Sequence, residues 1–217
     1  MLKNNNIEFV FNDEYILIVN KPPKISVQPS PDNKINLTTI LKEKLKESLF
    51  PCHRLDKETS GLLIYAKSHK IASFLTKQFK ERKIEKRYYA LVKGIPGRKK
   101  GMIKSYVIDK EGKHFKEKPK KATTFYRLIK KFSHFSLLEL IPLTGRTHQL
   151  RIQLAQIGHP ILGEKKYAYK KDFPINFKRL ALHAYFLKFT HPISKEKVTV
   201  SIDLAKDIKE FIKKKGG

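Results

Sequence analysis

Strand-type runs follow one another along this chain with few helices between them. That order argues against a doubly wound parallel sheet, in which nearly every strand needs a helical crossover. Ile7 to Phe11 and Tyr15 to Val19 are β-rich runs separated by "NDE", a hairpin-type signal, and "NKPP" punctuates the end of the second. Leu37, Ile40, Leu41 and Leu45 recur at helical spacing, as do Ile71, Phe74, Leu75 and Phe79 behind the cap residue Ser68. "GLLIYAKS" between these helices and "KRYYALVKG" after the second have strand composition, as do "ATTFYRLIKKF", "FSLLELIPL", "LALHAYFLKF" and "KVTVSI". A short helix is predicted after Thr147, with Leu150, Leu154 and Ile157 facing the core and Gly158 as its stop, and a lysine-rich helix closes the chain. The reading is an α+β fold with a mixed, largely antiparallel central sheet and flanking helices.

Hydrophobic periodicity lapses from Pro96 to Lys121, where Gly, Lys and Pro gather in "PGRKKG" and "GKHFKEKPKK". Strand patterns resume immediately afterwards, so this stretch reads as a basic insertion near 96–121 within a single domain spanning 1–217.

The 217 residues and their 40% hydrophobic content suffice for a real core. Against 20 Asp+Glu stand 47 Lys+Arg, a formal charge of +27 that favours a partner with dense negative charge, nucleic acid first. Cys52 is the single cysteine, which excludes an internal disulfide framework and fits a reducing compartment. Apolar runs such as "YILIV" are far too short to span a bilayer, and "MLKNNNIEFV" lacks a signal core, so the expected location is cytoplasmic, without membrane attachment. A monomer is the default expectation.

Two stretches concentrate chemistry. In "HRLDKETSG", Asp56 stands two residues from Arg54, and a carboxylate kept ionised by a neighbouring cation is able to act as nucleophile or base. Asp56 and Thr59 would equally well organise a turn before Gly61. In "LTGRTHQLRIQLAQIGHPILGEKKY" the predicted helix puts His148 and Arg151 on one side, available to a carboxylate or to a structural ion pair. His53, His148, His159 and His183 show no metal-binding spacing, so no metal is expected.

Taken together, these stretches resemble the RluA family of RNA pseudouridine synthases. "HRLDKETSGLLIYAKS" is similar to the catalytic signature of that family, "KRYYALVKG" falls where it places an active-site tyrosine, and "LTGRTHQLRIQLAQIGHPILGEKKY" and "RLALHAYFLKFTHP" resemble its later signatures. "ILIVNKPPKISVQP" resembles its opening segment, so the likeness runs from about Ile7 to Leu204. The family usually has glycine at Lys24, histidine at Gln28 and aspartate at Glu164, departures expected to bear on loop shape and substrate choice. The sequence starts directly on the catalytic pattern, which predicts RNA capture by the catalytic domain itself without an S4-type domain.

The resemblance implies the pseudouridine synthase fold and isomerisation of uridine to pseudouridine in structured RNA, ribosomal, transfer or both. That reaction cleaves the N1–C1′ bond, turns the uracil, joins C5 to C1′ and removes the C5 proton; nothing is oxidised or lost, so no cofactor is expected. By resemblance Asp56 starts glycosidic cleavage, either by attacking C1′ or by drawing off a sugar proton. Arg151 pairs with Asp56, and Tyr88 stacks on the base and assists removal of the C5 proton. Arg54 is the residue implied to fill the gap left by a flipped base, with His53, Arg146, His148 and Leu182 as further RNA-binding positions. A non-catalytic RNA-binding or ribosome-assembly protein would carry the same charge but has no chemical need to combine Asp56, Tyr88 and Arg151. A hydrolase using Asp56 and Glu58 is a weaker alternative, because two loop carboxylates at this spacing fix no separation.

Overall fold

The computed structural model describes residues 7–29, 35–108, 118–168 and 175–216. In chain order these form β1 (Glu8–Asn12), β2 (Ile16–Lys21), α1 (Leu37–Leu45), β3 (Phe50–Pro51), β4 (Ser60–Ala66), α2 (His69–Lys80), β5 (Glu85–Lys93), β6 (Lys100–Val107), β7 (Lys120–Lys131), β8 (Phe135–Pro142), α3 (Gln149–Gln156), β9 (Leu182–Thr190), β10 (Lys197–Ser201) and α4 (Lys206–Lys215). The chain divides into two compact units, Met1–Lys86 with Ala184–Asp203, and Arg87–His183 with Leu204–Gly217. The α+β reading holds, and its strand pairs are largely antiparallel.

In the first unit the strand order is β1-β2-β4-β9, with β3 on β4 and β10 on β9. Every residue of β4 is buried. Alternation along β2 and β4 sends Ile16, Ile18, Leu62 and Ile64 into one cluster with Ile71 and Leu75 of α2. Tyr65 points to the other face, where its hydroxyl meets the Thr38 Oγ1 of α1 at 3.2 Å. The two helices therefore cover opposite faces of this sheet, which is why β4 reads as an unbroken apolar run. Ser68 caps α2 as expected, its Oγ accepting the Ile71 amide at 3.4 Å.

In the second unit β5, β8, β7 and β6 lie side by side in that order, with β5–β8, β8–β7 and β7–β6 all antiparallel. Ala90, Val92, Leu138 and Leu140 pack with Leu150 and Leu154 of α3 and Ile208 of α4. Arg179 secures α4 by donating to both Asp207 oxygens, at 2.6 and 2.7 Å.

Two expectations need correction. Within the segment read as a basic insertion near 96–121, Lys100–Val107 forms the full edge strand β6, paired residue for residue with β7. Its alternation was masked because Met102 and Tyr106 are exposed apolar residues on the face opposite the buried Ile103 and Val107. Residues 109–117 of that segment lie outside the described residues. On α3, Leu150 and Leu154 are buried as predicted, but Ile157 is exposed; it follows the last helical residue, and Ile152 is buried instead.

Candidate active site

The loop bearing Asp56 is built by its neighbours. Leu55 is buried and anchors one side. The Asp56 carbonyl accepts the Thr59 amide at 3.0 Å, closing a tight turn before β4. On the other side, the Lys57 carbonyl accepts from the ammonium of Lys21 at 3.1 Å. Lys21 is fully buried, and its ammonium also donates to the carbonyls of Pro22 at 2.9 Å and Ile25 at 2.8 Å. These bonds from one buried cation tie the "NKPPK" bend to the aspartate loop.

Gly61 ends the loop at φ +115, and a Cβ there would stand 2.1 Å from the Ala184 carbonyl oxygen. Only glycine allows the chain to pass so close to β9. At the other bend, Lys24 has φ 67, in the left-handed region. Glycine, usual in the family at this position, would satisfy that backbone without strain, so the bend persists here although the residue has changed.

His53 and Arg54 part company. Arg54 is exposed. His53 stacks on Phe79 with ring centroids 4.5 Å apart, and its Nε2 accepts the Ile64 amide at 3.2 Å. Burial, reinforced by Lys86, pushes its pKa down to about 3, so the ring is a neutral acceptor holding the loop against β4. Burial pushes the Cys52 thiol up to about 12, leaving it an inert core group.

The second unit carries Tyr88 and Arg151. Tyr88 lies on β5 opposite Leu140 of β8, half-buried beside the core. Arg151 stands on α3, whose position is set by buried amides rather than by apolar contacts alone. Gln153 accepts from Thr124 Oγ1 at 2.6 Å and donates to the carbonyls of Ile103 and Ala122 at 3.2 and 3.1 Å. Gln149 donates to Thr124 Oγ1 at 2.9 Å and accepts from Thr144 Oγ1 at 2.7 Å. These bonds staple α3 to the β6–β7 ribbon.

Arg151 donates through Nε and Nη2 to the two oxygens of Glu164, at 2.7 and 2.8 Å. Burial works against the charged form of Glu164, but the hydrogen bond from Arg151, the Lys166 amide, the charge of Arg151 and the Tyr167 amide outweigh it and hold the carboxyl below its usual range. The guanidinium carbon lies 5.3 Å from the Tyr167 ring centroid, and the Tyr167 hydroxyl meets His148 Nδ1 at 2.7 Å. His148 precedes α3 with φ 51 and is buried. His148 and Arg151 are therefore brought together, around Tyr167. Arg146 is exposed, its Nε directed at the Lys121 carbonyl at 3.5 Å, and Leu182 is a core residue at the start of β9. Sequence reasoning missed Lys21 and Tyr167; the only signals were a lysine ending an apolar run and an aromatic residue after "GEKK".

Residues 15–156 match the family model described as RNA pseudouridylate synthase. The chain is 34% identical to the ribosomal large subunit pseudouridine synthase C of Buchnera aphidicola subsp. Schizaphis graminum, over 96% of this chain and 70% of that protein. It is 33% identical to the tRNA pseudouridine synthase C of Haemophilus ducreyi, over 90% of each. Among solved structures, human RNA Pseudouridylate Synthase Domain Containing 1 superposes with a TM-score of 0.77 at 29% identity, covering 91% of this chain and 83% of that one. Those likenesses span both units, the aspartate loop and the arginine helix, and on that ground the chain belongs to the family of RNA pseudouridine synthases, enzymes that isomerise uridine to pseudouridine in RNA.

Proposed function

We propose that the chain modifies uridine in ribosomal RNA, transfer RNA or both, that its two units serve one catalytic domain, and that Asp56 carries the chemistry. The observation that supports this most is the support around Asp56: Leu55 buried before it, Lys57 tied after it to a fully buried lysine, and a turn closed on its own carbonyl. A backbone held on both sides of a half-buried carboxylate fits a group that must meet a reacting carbon in one geometry.

In this reading Asp56 starts cleavage of the N1–C1′ bond, and Arg151 belongs to the apparatus that carries the reaction. Tyr88 stacks on the detached uracil while it turns, and its hydroxyl assists loss of the C5 proton. Arg54, exposed beside the loop, fills the space vacated by the flipped nucleotide. Arg146 contacts the backbone, and His148 acts on RNA through the group it shares with Tyr167. His53 and Leu182 support the site from the protein side, since each is engaged with the protein's own strands. The expected setting is the cytoplasm, with the chain acting as a monomer and no cofactor taking part.

Among the described residues no helix is long and apolar enough to cross a membrane. The test is chemical mapping of pseudouridine in total RNA from cells with and without the gene, followed by reaction of purified protein on the RNA that loses a modification. The expected result is a site restored by the wild-type protein and not by Asp56→Asn. Restoration by Asp56→Asn would overturn the assignment of Asp56.

A further inference from the structure

Glu164 stands where the family usually has aspartate, and the turn that carries it is built with unusual economy of space. Gly163 has φ +79, and a Cβ there would lie 1.7 Å from the Arg179 carbonyl oxygen, so the backbone is pressed against its neighbour just before the carboxylate. From that turn Glu164 Oε1 accepts the amides of Lys165, Lys166 and Tyr167 at 3.0, 2.7 and 3.3 Å, and Arg151 takes both oxygens. The Glu164 side chain is fully buried and that of Arg151 is 13% exposed.

A buried ion pair by itself is poor evidence of stability, because desolvation offsets much of the attraction. Orientation is another matter. A guanidinium is a rigid plane, and a bidentate grip on its Nε–Nη2 edge fixes both the plane and the direction in which Nη1 extends. Glu164 cannot swivel with it, since three backbone amides hold Oε1. The Tyr167 ring, whose centroid lies 5.3 Å from the guanidinium carbon, backs the group further.

We infer that Glu164 is a positioning residue for the reaction, setting the direction of the Arg151 guanidinium rather than touching RNA. This rests on the reading of Arg151 as part of the catalytic apparatus. Glu164→Gln preserves shape but sets an amide donor against Arg151, releasing the fork. A displacement of about 1 Å in such a group costs on the order of 100-fold in rate.

The experiment is single-turnover isomerisation at saturating RNA, with RNA affinity and thermal midpoint measured on the same samples. For Glu164→Gln the expected result is a rate constant lower by about 100-fold with RNA affinity within about twofold. Glu164→Asp, which keeps the charge, should recover at least about tenfold of that loss. In an Arg151→Met background, adding Glu164→Gln should cause no further fall, because a residue acting through Arg151 has nothing left to position. A native rate for Glu164→Gln, no recovery with Glu164→Asp, or a further tenfold loss in the double variant would each overturn the inference; the first two also apply if Arg151→Met is unstable. Asp56→Asn run in parallel separates the two failures. Activity there sinks the reading of the site, whereas an inert Asp56→Asn beside a fully active Glu164→Gln sinks only the role given to Glu164.

Discussion

The buried ammonium of Lys21 donates to the carbonyl of Lys57 at 3.1 Å, joining the end of β2 to the residue that follows Asp56, 36 positions away in sequence. Lys21→Met keeps the apolar stem but takes this donor from the buried Ile25 carbonyl and from the part-buried carbonyls of Pro22 and Lys57. A buried unsatisfied group costs about 1–3 kcal/mol and water can reach the other two, so a loss of about 1–3 kcal/mol in unfolding free energy is expected, together with slower single-turnover isomerisation. Urea unfolding beside a rapid-quench assay checks both, and native stability would show that the carbonyls find other donors.

Lys24 holds a left-handed backbone at φ 67. Relief of that conformation is worth about 1–2 kcal/mol, and the greater freedom of glycine in the unfolded chain takes back about 0.5–1 kcal/mol. Lys24→Gly should therefore raise stability by about 0.5–1 kcal/mol. A destabilised Lys24→Gly protein would mean that the lysine side chain contributes more than its backbone costs.

His53 is neutral in the fold, with its pKa pushed down to about 3, whereas an ordinary histidine titrates near 6.5. Between those values the unfolded chain binds the proton and the folded chain does not, so stability falls as pH drops from about 6.5 toward 3. The contribution is up to about 1.4 kcal/mol per pH unit for one full proton. His53→Gln removes this part of the slope while retaining an acceptor for the Ile64 amide. Chemical unfolding across pH 4 to 7, about the window in which the two states differ, should show a shallower dependence in the variant; an identical slope would assign the acid sensitivity to other groups.

Arg98, Lys99, Lys100, Lys118, Lys120 and Lys121 are all exposed on or beside the β6–β7 ribbon. If they neutralise RNA phosphates, each contact adds about −0.7 to the slope of log affinity against log salt for single-stranded RNA. Replacing them with glutamine should flatten that slope while the modified uridine and the saturated single-turnover rate stay as they were, because phosphate contacts position RNA without reading it. An unchanged slope would make the ribbon a merely solvated face. Loss of chemistry at saturation would make it part of the active site.

Much of the architecture was readable because its signals are local. Ser68 caps α2 through an amide three residues on, and β4 is a continuous apolar run between two turns. The β6 strand escaped because apolar residues occupy both its faces, and periodicity reports burial, not pairing. Asp56, Tyr88 and Arg151 stood out through resemblance to a family; their own neighbours in sequence would have allowed a turn, a core tyrosine and an ion pair. Lys21 was illegible for another reason: its partners are carbonyls, which every residue has, so nothing in the sequence marks which ones a buried lysine will meet. Glu164 was visible as a departure, but its grip on Arg151 spans 13 positions and depends on the compressed turn at Gly163.

The amides of Gln149 and Gln153 have a consequence for how this enzyme can be altered. A helix resting on leucines alone is able to slide by a fraction of a turn when its surroundings change, at little cost. Side-chain amides matched to named carbonyls and hydroxyls have one register, and a shift leaves them buried and unpaired. Arg151 is thus indexed to the middle of the β6–β7 ribbon. A substitution at Thr124, or one that shifts the carbonyls of Ile103 and Ala122, is accordingly felt at the arginine although it lies on a strand of the ribbon.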